Sequence, residues 1–225
     1  TIDTIRAALA DIGGADALVG GSDAQALDKR DAALRDQVIV IPAILLVVLA
    51  VLVVLLRAVV APLVLVGTTV LSAVAALGLG SWVSTRIFGF PALDDTVPLF
   101  AFLFLVALGV DYSIFLVTRA REETPGRGTR AAIVRAVAAT GGVITSAGIV
   151  LAAVFAVLGV LPLITLTQLG IVVGLGILLD TFVVRTLVIP ALFTLVGDAV
   201  WWPNRQATST LDSPGEARSA VPSEI

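Results

Sequence analysis

Five long, predominantly apolar runs constrain this chain more than any other feature: 38–56, 58–83, 97–118, 136–160 and 166–196. A helix rises 1.5 Å per residue, so about 20 residues cross the ~30 Å hydrocarbon core of a bilayer. The first run carries no charge and ends at Arg57. The second follows a very short turn marked by Pro62, and the fifth holds Pro190 near its end. Inside hydrocarbon every backbone N–H and C=O needs a partner, which only helices and closed barrels provide. The strict polar–apolar alternation of barrel strands is absent, so the prediction is an all-α integral membrane protein with five transmembrane helices.

Composition agrees. The 225 residues are 58% hydrophobic with 20 Gly besides, and only 14% are charged. A soluble fold typically has about 25% charged residues and could not hide so much apolar surface. There is no His and no Cys, which excludes zinc sites of the ordinary type, thiol nucleophiles, disulfides and His-based triads. No catalytic residue, metal or organic cofactor is therefore expected. A net charge of −3 gives no basic footprint for nucleic acid. The absence of Met and of a signal-peptide pattern predicts an internal or C-terminal piece of a longer chain.

The flanks are polar. Residues 1–36 read as a helix over 2–9, a Gly-broken turn and a charged helix over 23–36, too small for a core and so the edge of a larger domain. The span 37–202 is the membrane part, and 203–225, rich in Ser, Pro and acid, reads as a disordered tail. Arg57, Arg119, Arg121, Arg127, Arg130, Arg135, Arg205 and Arg218 fall on one side and outnumber Lys29, Arg30, Arg35 and Arg86 on the other. The positive-inside rule then places the loop 119–135 and the C-terminus in the cytoplasm. Trp201 and Trp202 fit an aromatic anchor at that interface.

Ionisable groups in hydrocarbon cost ~2.5–3.5 kcal/mol each on insertion scales, so each asks for a reason. Asp111 and Asp180 lie equally far into two runs that cross in the same direction, near mid-membrane. Arg185 is five residues beyond Asp180, about 140° around an α-helix, which argues against a direct pair. Tyr112 adjoins Asp111, but neighbours on a helix do not face each other, so each needs a partner on another helix. A carboxyl in such a place can take up a proton on one side and release it on the other. Thr140, Thr145 and Ser146 are possible polar lining of that path. Gly141, Thr145, Gly148 and Ala152 form a small-residue stripe, and Gly170 and Gly174 a GxxxG, both suited to close helix approach.

Four stretches carry a resemblance: "ALVGGSDAQALD" (17–28), "FAFLFLVALGVDYSIFLVTRAREE" (100–123), "TGGVITSAGIVLAAVFAVLGVLPL" (140–163), and "LGILLDTFVVRTLVIPAL" (175–192) with the following "WWP". In this order they resemble the mycobacterial-membrane-protein-large (MMPL) family of resistance-nodulation-division transporters. The resemblance implies twelve helices in two related halves, each with an outward-facing porter domain. This chain would supply helices eight to twelve and the end of the second porter domain. It further implies a bacterial inner-membrane exporter of lipids or hydrophobic compounds with protons as coupling ion. Asp111 and Tyr112 would be this half's part of the proton relay, Asp180 and Arg185 an accessory part, and the N-terminal half of the polypeptide and membrane lipid the partners. The competing readings are a non-transporting, sterol-sensing-like binding module, sodium coupling, and an intramembrane aspartyl protease using both Asp residues.

Overall fold

The computed structural model describes residues 2–10 and 19–203, so the tail predicted beyond Pro203 lies outside the described residues. The order is α1 (Ile2–Ala10), α2 (Ser22–Leu56), α3 (Val60–Arg86), α4 (Val97–Glu123), α5 (Thr129–Leu158) and α6 (Ile164–Leu179). A π-helical segment (Asp180–Val188), α7 (Ile189–Val196) and one 3₁₀ turn (Gly197–Trp201) then continue the line of α6. Five helical spans are long and apolar enough to cross a membrane, as the sequence predicts.

The spans run further than their apolar cores. The charged stretch 23–36 is no separate helix: Ser22–Leu56 is continuous, because nothing between Asp36 and Val38 breaks it and Pro42 is absorbed inside. Pro42 removes one rung of the ladder, which a membrane helix tolerates. Pro62 lies in the first turn of α3, where its missing N–H has no intrahelical partner to lose. The loop expected over 119–135 shrinks to 124–128, since Arg119–Glu122 and Arg119–Glu123 pairs of 3.2 and 2.8 Å extend α4. Glu123 also accepts from Arg127 at 2.9 Å and faces Arg135 at 3.8 Å, so one carboxylate clamps the turn from three sides.

Helix α6 is the hub, packed against α3, α4 and α5. The approach is close where side chains are missing. A Cβ on Gly80 would lie 2.5 Å from Val172 Cγ2, and one on Gly176 2.5 Å from Leu105 Cδ2. The GxxxG also closes on α5: a Cβ on Gly170 would meet the Phe155 carbonyl at 2.5 Å. The small-residue stripe of α5 divides. Gly148 presses on Thr181, whereas Gly141 and Gly142 face open space. Helix α2 is peripheral, with 6% of its most apolar window buried against 50% for α4, and it presents Val38, Leu46 and Val54 outward.

Polar bonds tie both ends. At one end Gln168, fully buried, donates Nε2 to the Ala92 carbonyl (2.7 Å) and accepts from the Asp94 N–H (2.8 Å). Thr165 donates to Asp94 Oδ2 at 2.9 Å, and Thr96 donates its N–H and hydroxyl to Oδ1 at 3.0 and 2.6 Å. The Thr96 hydroxyl, helped by the Thr96 N–H and Thr165 against partial burial, holds the Asp94 carboxyl below its ordinary value. At the other end Asp198 accepts from the Thr129 N–H (3.1 Å) and hydroxyl (2.7 Å), capping α5 from across the bundle. Trp201 donates Nε1 to the same hydroxyl at 2.9 Å and stacks edge-on against Phe193. Of the Trp201–Trp202 pair, Trp202 alone is exposed. Trp201 is a buried core residue rather than an interface anchor, because its ring fills the space that this network closes.

Candidate functional site

Asp180, Arg185 and Tyr112 converge where α4 meets the π-segment, and Asp111 does not join them. An α-helix turns about 100° per residue, so Asp111 and Tyr112 leave α4 in different directions. Asp111 is exposed on the outer face of the bundle and makes no hydrogen bond or ion pair among the described residues. Tyr112 is half-buried, and the Arg185 guanidinium lies 5.1 Å from its ring centroid. A cation on an aromatic face out of water contributes up to about 2 kcal/mol.

Arg185 and Asp180 form a buried salt bridge through Nη2 and Oδ2, which corrects the expectation drawn from helical spacing. The reason is the local backbone. From Asp180 to Val188 the ladder is π-helical and pairs i with i+5, so residues five apart share a face. Pro190, just beyond, cannot donate an N–H and breaks the regular ladder. Arg185 Nη2 also donates to the Gly109 carbonyl at 3.3 Å, an oxygen that accepts the Ser113 hydroxyl at 2.6 Å. Asp180 lies against Gly109, where a Cβ would stand 3.8 Å from both carboxylate oxygens. Breaking such a pair on one side leaves a buried charge uncompensated, at a cost of about 3–5 kcal/mol.

Of the three lining candidates, Thr140 is buried and donates to the Ala136 carbonyl at 2.7 Å, while Thr145 is half-buried. Both border a chamber of about 10 Å³ that Arg185 and Thr186 also line. Ser146 is exposed, donates to the Val143 carbonyl at 3.0 Å, and shares an open groove with Tyr112 instead. The structure therefore joins Tyr112, Arg185 and Asp180 into one group, borders it with Thr140 and Thr145, and leaves Asp111 and Ser146 outside. It also gives a protease dyad no shared proton, since Asp180 is held by Arg185 while Asp111 faces outward. Sequence reasoning missed Gln168, Ser113 and the Thr129–Asp198–Trp201 network. An amide near the start of an apolar run was the available signal for Gln168.

The MMPL family model matches residues 1–218. A membrane protein of Streptomyces coelicolor is 51% identical over 91% of this chain and 29% of its own length. An apo-petrobactin exporter of Bacillus anthracis is 42% identical over 83% of this chain and 25% of its own. An acyltrehalose exporter of Mycobacterium tuberculosis is 43% identical over 90% of this chain and 20% of its own. The chain thus spans less than a third of the length of these relatives. Its apolar spans and its likeness to named membrane proteins make it a multi-pass membrane protein. With the family model covering nearly every residue, and the quoted Asp-Tyr and Asp–Arg stretches inside the match, the chain belongs to the MMPL family.

Proposed function

We propose that this chain is the membrane part of the C-terminal half of a secondary exporter that moves lipids or other hydrophobic compounds across a bacterial inner membrane, driven by protons and without enzymatic chemistry. In this reading the 124–128 turn and the C-terminus are cytoplasmic, and residues 1–36 end an outward porter domain. The observation that carries it is the placement of Asp111: a carboxylate in a membrane span, turned out of its own bundle, one residue from a tyrosine that touches a buried Arg–Asp pair. A charge so placed costs ~2.5–3.5 kcal/mol unless it is neutralised or paired. The N-terminal half of the same polypeptide is the surface that meets it. Protonation then removes the charge, and Tyr112 couples that event to Arg185, whose guanidinium it holds. Each proton moved inward supplies about 2.3 kcal/mol per 100 mV. Relatives named as exporters support the direction of transport.

The test is Asp111→Asn in the full-length protein. Proteoliposomes with an imposed pH gradient, a hydrophobic efflux probe and a pH-sensitive dye read substrate and proton flux together. Loss of both is expected, with unchanged expression and thermal stability. Undiminished probe efflux, or efflux that follows sodium instead of pH, would remove the proton relay.

A further inference from the structure

We propose that Arg185 holds a single internal water in the chamber between the π-segment and α5, and that this water bridges its guanidinium to threonine hydroxyls. Three observations meet there. Arg185 Nε and Nη1 are buried to less than 1 Å² each and have no acceptor among the described residues. Because those atoms are sealed within this chain alone, no side chain from elsewhere reaches them, and a partner has to be internal. A hollow that Arg185 lines with Thr140, Thr145 and Thr186 measures about 10 Å³, close to the ~10–15 Å³ that one water needs. A small adjustment of the lining side chains would open these nitrogens to such a molecule.

The chemistry of the walls selects water over an anion. Thr140 and Thr186 already donate their hydroxyl protons to the carbonyls of Ala136 and Phe182, so toward the chamber they offer acceptors. Arg185 offers only donors. A molecule between them has to accept from nitrogen and donate to oxygen, which water does and chloride does not. Thr145, with no hydrogen bond of its own among the described residues, adds a hydroxyl that can serve either way. A water with two to four such partners is an ordinary structural component. Here it would carry the polar group of Tyr112, Arg185 and Asp180 across to α5. That role rests on the proton-coupled reading; the water itself does not.

High-resolution electron microscopy of the full-length protein in lipid nanodiscs tests the site directly. The expected result is a solvent peak about 2.7–3.2 Å from Arg185 Nε or Nη1, lost in the Thr140→Val/Thr145→Val double variant. No peak in a map that resolves other internal waters would overturn the proposal, as would a peak unchanged in the double variant. A bromide-exchangeable peak, marking an anion, would overturn it too. In proteoliposomes the double variant is expected to slow proton uptake about three- to tenfold, the loss of one modest hydrogen-bonded step. Unchanged uptake in a variant that has lost its peak would take the water off the proton path. If Asp111→Asn transports normally while the peak is present, the proton-relay reading fails and the water site stands.

Discussion

Replacing Gly148 by Ala probes the contact on which the charged group depends, the approach of α5 to the π-segment. The added Cβ would lie 2.5 Å from Thr181 Oγ1, 2.9 Å from its Cγ2 and 3.2 Å from its Cβ. Ordinary carbon contacts sit at about 3.5–4.0 Å, so all three overlap. Thr181 cannot rotate away, because a β-branched side chain keeps one heavy atom or another in the path, and it is 3% exposed. The helices have to part by several tenths of an ångström beside Asp180. Overpacking of this kind costs about 1–3 kcal/mol, against a gain of about 0.5–1 kcal/mol from replacing a helical Gly. The difference spans about 0–2.5 kcal/mol, and a net loss of about 1 kcal/mol is expected. Gly142→Ala is the matched control, since its Cβ would enter open space, and it should be neutral or slightly stabilising. Thr181→Ala removes the two nearest atoms and should recover half or more of the loss in a double variant. Reversible unfolding in mixed micelles measures all four proteins. A Gly148→Ala variant as stable as Gly142→Ala, or one that Thr181→Ala does not relieve, refutes the close approach.

Two further predictions concern the buried pair and the opposite end. Arg185→Met should destabilise by about 3–5 kcal/mol, and Asp180→Leu added to it should restore most of that, since the double variant buries no lone charge; the same unfolding assay checks it. The turn 87–96 should loosen in acid. The Asp94 carboxyl is held below its ordinary value, so its contribution is complete above the unfolded value near 3.9 and is lost as pH falls through the lower folded one. Hydrogen exchange at residues 87–96 should therefore accelerate only below about pH 4, and Asp94→Asn should abolish that acid step. In Gln168→Leu, which leaves the Ala92 carbonyl and the Asp94 N–H unpaired, the same amides should exchange faster at every pH.

What the sequence made legible follows from the length scale of each interaction. Apolar runs report membrane spans because hydrocarbon sets a minimum length, and the five found match the helices closely at mid-membrane. Their ends did not, because Arg119, Glu122 and Glu123 continue α4 by local ion pairs that hydropathy ignores. The isolation of Asp111 from Tyr112 was readable from helical geometry alone. The Asp180–Arg185 pair was not, since the inference assumed an α-ladder where the backbone is π-helical. Glycine spacing pointed to close approach without saying which glycine: Gly148 meets Thr181, yet Gly142, in the same block, meets nothing. Gln168 and Trp201 act through residues 72–76 positions distant, and no local pattern carries that information.

The knot at Asp198, Thr129 and Trp201 also sets an order of events during biosynthesis. A membrane chain inserts from its N-terminus as the ribosome advances, so α5 is complete before its cap exists. Until Asp198 and Trp201 leave the exit tunnel, the Thr129 N–H and hydroxyl can only be served by water at the membrane edge. The Val59 N–H, which the Trp202 carbonyl meets at 2.8 Å, waits just as long. The final few residues of the last span therefore act as a latch that engages the α2–α3 turn and the start of α5 together. Translation that stops short of Trp202 would release a bundle with every span present and this end unlocked.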